Sequence, residues 1–332
     1  LFADFTHQPA VELAEKLSEI TPNKLNRTFY SDNGSTAVEI AMKVAVQYWY
    51  NSGVKKNKFV AMQGGYHGDT LGAMSVGFTS GFYQPFKEII PNNFFFSFPE
   101  NWEGKNDIEK DEEQSLKEID DLLSENLEQI AAVVIEPLIQ GASGMRICRK
   151  EYLNKAMQKF RDAGVIIIFD EVMTGFGRTG KMFACDHLKV KPDILCLAKS
   201  LTGGYLPLAA TIFDEKIHRN FFGDDISKSF MHGHSFTANP VACATALCSI
   251  KLFDKENSLK KVKKISEIHR ENLKILKKKI NISKTRLIGS ISAFNVNDIK
   301  DSYGSNETEL LKKKFLKEGL LIRPLGNTIY LM

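Results

Sequence analysis

Five short runs of nearly unbroken apolar residues constrain this chain more than any other feature: FVAM (59–62), AAVVIEP (131–137), VIIIFDE (165–171), DILCLA (193–198) and PLAATIF (207–213). Each is too short for a long helix and lacks the polar alternation of a half-exposed strand, so each reads as a strand buried on both faces. Glycine, proline or charge bounds them. Between several of them lie amphipathic patterns, at 115–129 and 150–163, that predict helices. Strands alternating with helices imply an α/β fold with a mostly parallel central sheet flanked by helices. In such a fold, chemistry collects at the carboxyl ends of the strands.

The character changes near residue 253. The stretch 255–280 predicts a charged helix with Leu259, Val262, Ile265, Leu273 and Leu276 along one side and lysines elsewhere. We therefore expect a large domain over 1–252 and a smaller α+β domain over 253–332. The lysine-rich face reads as a solvated surface rather than an anion site. Forty-four Lys and Arg against forty Asp and Glu leave a net charge of +4, too slight for a nucleic-acid footprint. Five scattered cysteines without a C-x-x-C pair indicate neither a disulfide framework nor a zinc site, and fit a reducing cytoplasm. No apolar run reaches the roughly 18 residues of a membrane helix, and LFADFTHQPA lacks the layout of a signal peptide. The start at Leu1 and the end inside the apolar IYLM read as a piece cut at both ends.

Several groups can carry chemistry. Strand-like NRTFY runs into Asp32-Asn33-Gly34-Ser35 and then a helix, so Gly34 permits close backbone approach and Ser35 is placed to cap the helix or meet a phosphate. Asp170 and Glu171 end a buried strand, where a carboxylate needs a cationic partner to stay ionised. No nearby ligand cluster completes a metal site around them. The loop TGFGRTG (174–180) carries Arg178 but lacks the order of a phosphate-cradling P-loop. Lys199 ends the next strand, 29 positions after Asp170. A buried strand has little reason to end on an amine unless that amine bonds a carbonyl or snorkels to water. Tyr66 offers an aromatic face beside His67 and Asp69. His232 and His234 are spaced by two but lack a third ligand, and Arg323 precedes a proline where its fork suits a carboxylate. Taken singly, each of these has a purely structural explanation.

Together they form a phosphate cradle, an aromatic face, an acid for a ring nitrogen and an amine for an aldehyde, which are the needs of pyridoxal 5′-phosphate. The stretches SDNGSTAVEIAMK (31–43), YHGDTLGAMSVG (66–77), FDEVMTGFGRTGKMFA (169–184), PDILCLAKSLTGGYLPLAAT (192–211) and HGHSFTANPVACA (232–244) resemble the class III (subgroup II) aminotransferases, with fold type I of the pyridoxal-phosphate-dependent transferases. The resemblance covers essentially the whole chain. It implies that Lys199 bonds the cofactor aldehyde and carries the proton between substrate and cofactor carbons. Asp170 would pair with the ring nitrogen, Tyr66 would stack on one ring face and Val172 would pack on the other, and Gly34 and Ser35 would hold the phosphate. Ser235 would reach the phosphate from a neighbouring subunit, implying a homodimer with shared sites. Arg323 would receive a substrate carboxylate and Gly233 would line the pocket with Tyr66 and Lys199; Arg178 is a looser pocket candidate, and His67 and Asp69 would support. MHGHSFTANP together with IRPLGNTIYLM narrows the resemblance to members that use S-adenosylmethionine to aminate a keto-aminopelargonate in biotin synthesis. Lysine as donor, an omega-amino-acid, ornithine or acetylornithine transaminase, and a non-catalytic fragment that kept the fold are the alternatives. In the family a pocket-lining segment precedes the position of Leu1.

Overall fold

The computed structural model describes residues 5–22, 25–77, 81–299, 304 and 306–332. The opening four residues, part of the stretch read for targeting signals, lie outside them. From the amino end run α1 (Gln8–Ile20), β1 (Leu25–Ser31), α2 (Gly34–Asn51), β2 (Lys58–Met62), α3 (Leu71–Ser75), β3 (Phe94–Phe96), α4 (Ile108–Asn126), β4 (Ile130–Ile135), the short pair β5 (Ile139–Gln140) and β6 (Arg146–Ile147), α5 (Lys150–Asp162), β7 (Ile166–Asp170), β8 (Ile194–Leu197) and β9 (Ala209–Asp214). The described residues form a seven-stranded sheet in the order β1-β9-β8-β7-β4-β2-β3. Neighbours from β3 to β8 are parallel, whereas β9 is antiparallel to both β8 and β1. The reversal follows from the connection: after β8 the chain makes one 3-10 turn and bends back through Gly203 and Gly204, both at positive φ, without a crossover helix.

Alternate residues of each inner strand enter opposite cores. Val133, Ile135, Ile167 and Phe169 pack with Leu13, Leu17, Tyr152, Phe160 and Ile250 on one face. Ala132, Val134, Ile166 and Ile168 pack with Ala37, Val38, Ile40, Ala41 and Val44 on the other. Burial on both faces is why these strands read as continuous apolar runs. Helix α4 begins at Ile108, a turn and more before the expected 115. Its opening turns are mostly charged, but Ile108 is buried, and Glu112 turns inward to accept from Arg149 at 2.7 and 2.6 Å.

Beyond β9 follow α6 (Glu215–Arg219), α7 (Pro240–Lys255), α8 (Ser258–Lys279), β10 (Ile282–Ile288), β11 (Ile291–Val296), α9 (Asn306–Lys317) and β12 (Thr328–Leu331). The helix expected over 255–280 is thus α8, separated from α7 by Asn257 at a φ of 51°. Strands β10, β11 and β12 form an antiparallel sheet onto which α8 lays Leu273, against Phe294 and Ile329. This α+β part is fastened to the turn of the β5–β6 hairpin by Arg286. Its Nε donates to the carbonyl of Met145 at 2.9 Å, and its guanidinium also reaches Gly144 O, Asn295 Oδ1 and Thr328 Oγ1. Among the described residues no helix is long and apolar enough to cross a membrane.

Candidate active site

Register brings the chemistry to one edge. Ile135 pairs with Phe169 and Asp170 with Cys196, so Glu136, Asp170 and Lys199 leave three adjacent parallel strands, β4, β7 and β8, at their carboxyl ends. The loop after β2 brings Tyr66 and His67 to the same edge. His67 Nδ1 lies 2.8 Å from Asp170 Oδ2, and the backbone N–H of Val172 donates to Asp170 Oδ1 at 3.0 Å. The side chain that meets the Asp170 carboxylate is therefore His67, a cation when its ring is protonated. Glu136 accepts from the N–H of Tyr66 at 3.0 Å and of Gly141 at 3.2 Å. Burial alone pushes the His67 imidazole down, but the hydrogen bond and charge of Asp170, with the charge of Glu136, outweigh it and hold the imidazole above its ordinary value. Burial pushes the Glu136 carboxyl up to about 7, with the His67 charge opposing the rise.

At the start of α2 the cap is Asn33 rather than Ser35. Asn33 Oδ1 accepts from Thr36 N at 3.0 Å while Thr36 Oγ1 accepts from Asn33 N at 3.3 Å, a reciprocal box one turn deep. The expectation of a Ser35 cap fails because Ser35 already lies inside the first turn. Its hydroxyl is turned instead to Thr70, 2.7 Å from Thr70 Oγ1 and accepting from Thr70 N at 3.1 Å. Two glycines make the helix start a close-packed cradle. A Cβ on Gly34 would lie 2.6 Å from Val172 Cγ1, and one on Gly68 would lie 2.3 Å from Ser35 Cβ. Tyr66 donates its hydroxyl to Asp69 Oδ2 at 2.9 Å, and partial burial, then that hydrogen bond, push its phenol up to about 12.

Lys199 stands just beyond buried β8, exposed, in the left-handed backbone region at a φ of 46°; no described residue pairs with its ammonium. Such a conformation is costly for a side-chain-bearing residue and is found where surrounding structure imposes it. Glu171 turns away from Asp170. It accepts from Ala184 N at 2.6 Å, Cys185 N at 2.8 Å and Thr174 Oγ1 at 3.0 Å, so it fastens the glycine-rich loop rather than joining an acidic pair. Arg178 is drawn to the second sheet, where Nη1 donates to Ser290 Oγ at 3.3 Å and its carbonyl accepts from Ser290 N at 3.0 Å.

Gly233 and Ser235 are exposed on the loop after Met231, and Arg323 is exposed ahead of β12; these three stand outside the buried strand-end group. His232 and His234 face different partners. His232 Nδ1 is 2.9 Å from Lys43 Nζ, with its ring stacked on Phe230, and His234 Nε2 is 3.8 Å from Asp32. Among the described residues no group of three or more His, Cys, Asp and Glu side chains is arranged to hold a metal ion. Glu136 escaped the sequence reading although its position was available: it follows AAVVI just as Asp170 follows IIIF. Asn33 and Thr70 also went unassigned.

A family model described as Aminotransferase class-III matches residues 1–332. The adenosylmethionine-8-amino-7-oxononanoate aminotransferase of Synechococcus elongatus is 42% identical over 332 residues, covering 100% of this chain and 77% of that protein. Among solved structures, the enzyme of the same name from Methanocaldococcus jannaschii superposes with a TM-score of 0.90 at 37% identity, over 100% of this chain and 76% of that one. An amine transaminase from an uncultivated Pseudomonas species, in its PLP-bound form, gives 0.89 at 29% identity, over 100% and 77%. A strand-end acid and amine beside a glycine-cradled helix start, matched along all 332 residues, identify the chain as a member of the class-III aminotransferases.

Proposed function

We propose that this chain transfers an amino group from S-adenosylmethionine to 8-amino-7-oxononanoate (7-keto-8-aminopelargonate), giving 7,8-diaminopelargonate in biotin synthesis, with pyridoxal 5′-phosphate as cofactor. The observation that carries the reading is the delivery of buried Asp170 and exposed Lys199 by adjacent parallel strands. The names of relatives at 36 to 42% identity support the substrates.

The residues present fit the cofactor. Gly34 leaves the start of a long helix without a Cβ, where backbone N–H groups and the helix dipole favour a phosphate. Ser35 and Thr70 add hydroxyls beside it. When bound, pyridoxal phosphate supplies an aldehyde that takes up amino groups and a ring that draws electron density from the carbon being deprotonated. Asp170 supplies the carboxylate for the ring nitrogen. Lys199 Nζ would hold the aldehyde at rest and, once displaced, would carry the proton between the substrate carbon and the cofactor carbon in each half of the transfer. Tyr66 and Val172 would hold the ring between them, Arg323 would take the acceptor's carboxylate, and Gly233 would line the pocket. Ser235 serves a second copy, so the unit is a homodimer with shared sites; exposed Met231 and Phe236 flank Ser235 on the same loop and suit burial there. We assign residues 1–252 to the cofactor-binding domain and 253–332 to the small domain, and place the enzyme in the cytoplasm.

The test is direct. Purified protein, pyridoxal phosphate, the keto acid and S-adenosylmethionine should yield the diamine by mass spectrometry. Diamine formed only with lysine moves the donor assignment, and no diamine with either donor overturns the substrate reading. A panel of ornithine, acetylornithine and omega-amino acids then identifies the competing activity. Lys199→Ala should abolish the yellow absorbance of the bound cofactor.

A further inference from the structure

The β5–β6 hairpin presents two different faces. Ile139 pairs with Ile147 and Gln140 with Arg146, so the two pairs point to opposite sides. Ile139 and Ile147, with Met145 from the turn, pack on Ile291 and Ala293 of the small sheet, and Arg286 fastens that side through the carbonyls of Met145 and Gly144. Gln140 and Arg146, joined by Ser143 from the turn, stand against the loop that leads from β2 to Tyr66. The approach is closer than a side chain would allow: a Cβ on Gly64, at a φ of 84°, would lie 2.6 Å from Arg146 Nη1 and 3.0 Å from Gln140 Oε1. Gln140, 1% exposed, donates from Nε2 to the carbonyl of Gln63 at 3.1 Å, and Ser143 Oγ donates to the carbonyl of Gly64. Glu136 accepts from Tyr66 N at 3.0 Å and from Gly141 N, within the hairpin turn, at 3.2 Å. Three successive peptide units before the Tyr66 side chain are thus each held by one side chain of the segment 136–143.

We propose that Gln140 and Ser143 are positioning residues for Tyr66, fixing where its ring stands at the crevice by gripping the carbonyls of Gln63 and Gly64, with the small sheet as their anchor. The inference rests on reading Tyr66 as the residue that stacks on the cofactor ring. The β2 ladder ends at Gln63, whose N–H donates to Phe96 O at 2.9 Å, and two glycines follow it before Tyr66. Two glycines in a row leave a chain free to swing unless something outside holds it. A gap of about 0.5–1 Å forfeits a quarter to a half of a dispersion contact, so a stacking ring has to be held firmly. The Gln140 amide is suited to that task and to little else. Its Oε1 is buried and meets no hydrogen-bond partner among the described residues, a cost that an apolar side chain of similar size would avoid. What the amide contributes is therefore its donor, aimed at the Tyr66 loop.

The test begins with the apoprotein. Ser143→Ala and Gln140→Met each remove one donor at nearly constant shape. Each should speed amide hydrogen exchange over residues 63–66 about fivefold, the scale of one lost hydrogen bond, while the amides of β4 keep their wild-type rates. Pyridoxal phosphate should bind each variant about threefold more weakly and the double variant about tenfold more weakly. The deciding background is Tyr66→Leu, where no aromatic ring remains to be positioned: there the same substitutions should leave the affinity unchanged. Equal losses of affinity with and without the Tyr66 ring, or wild-type exchange over 63–66 in both variants, overturn the proposal. A wild type that binds no pyridoxal phosphate refutes the cofactor reading, while faster exchange in the variants would still show that the hairpin holds Tyr66. If the Gln140→Met protein does not fold, Ser143→Ala, at a half-buried position, decides through the same comparison.

Discussion

Gly34 and Val172 touch so closely that the glycine's missing Cβ is a structural requirement: the atom would sit 2.6 Å from Cγ1 and 3.0 Å from Cγ2 of the valine. Alanine is ordinarily the better helix residue, so in open space the substitution would stabilise. Here overpacking wins, because a β-branched side chain has little rotamer freedom to give way. Gly34→Ala should cost about 1–3 kcal/mol in urea unfolding. In a Val172→Ala background the cost should largely vanish, and a double-mutant cycle without that interaction would refute the clash.

Lys199 carries a backbone conformation that L-residues avoid, at a φ of 46°. Replacing it by glycine or alanine removes the amine equally, but only glycine relieves the backbone. Lys199→Gly should unfold at a higher temperature than Lys199→Ala, by a margin of about 1 kcal/mol, and neither should transaminate. An alanine variant of equal or greater stability would show that the turn stores no strain.

Glu171 is buried and pushed up to about 7 by desolvation, with the Ala184 and Cys185 N–H groups opposing the rise. Its folded value lies above its unfolded 4.5, so the native state binds the extra proton. The stability it contributes is complete below 4.5 and is lost as pH rises to about 7; Glu136 has the same sign. A shift of that size corresponds to about 3 kcal/mol. The Glu171→Gln protein should accordingly show a shallower loss of stability between those pH values than the wild type. Parallel slopes in guanidinium unfolding series would contradict the assignment.

Arg286 is buried and satisfies carbonyls of Met145 and Gly144 from the far side of the interface. Truncation to leucine strands those acceptors. Arg286→Leu should lose about 3 kcal/mol and broaden the thermal transition as the β10–β12 sheet begins to part from the β5–β6 hairpin. A single sharp transition at the wild-type midpoint in calorimetry would count against its role as the clasp.

The strands were legible because burial on both faces writes itself into sequence as unbroken apolar runs; IIIFD and ILCL sit within a residue or so of where the pattern puts them. The direction of β9 was not legible, since an apolar run carries no sign of which way it runs. Nor was the break at Asn257, where lysines continue across the turn between α7 and α8. At the site, the dipeptide Asp170-Glu171 announced a strand-end acid but not that its two carboxylates part company. One meets His67 and the other turns back onto Ala184 and Cys185. Strand alternation sends them to opposite sides, and the partners that decide their chemistry arrive from distant segments. Arg286 gave no local signal for its clasp, because the Met145 and Gly144 carbonyls it satisfies lie 141 and 142 positions away.

The pairing of Asp170 with His67 spans 103 positions, and that of Tyr66 with Glu136 spans 70. Those distances have a kinetic meaning. Loop closures of that length come late, so the crevice exists only after β2, β4 and β7 have found one another across the sheet. A ligand that recognises the finished crevice has nothing to hold during the search. It should leave the refolding rate unchanged and act almost wholly by slowing escape from the native state.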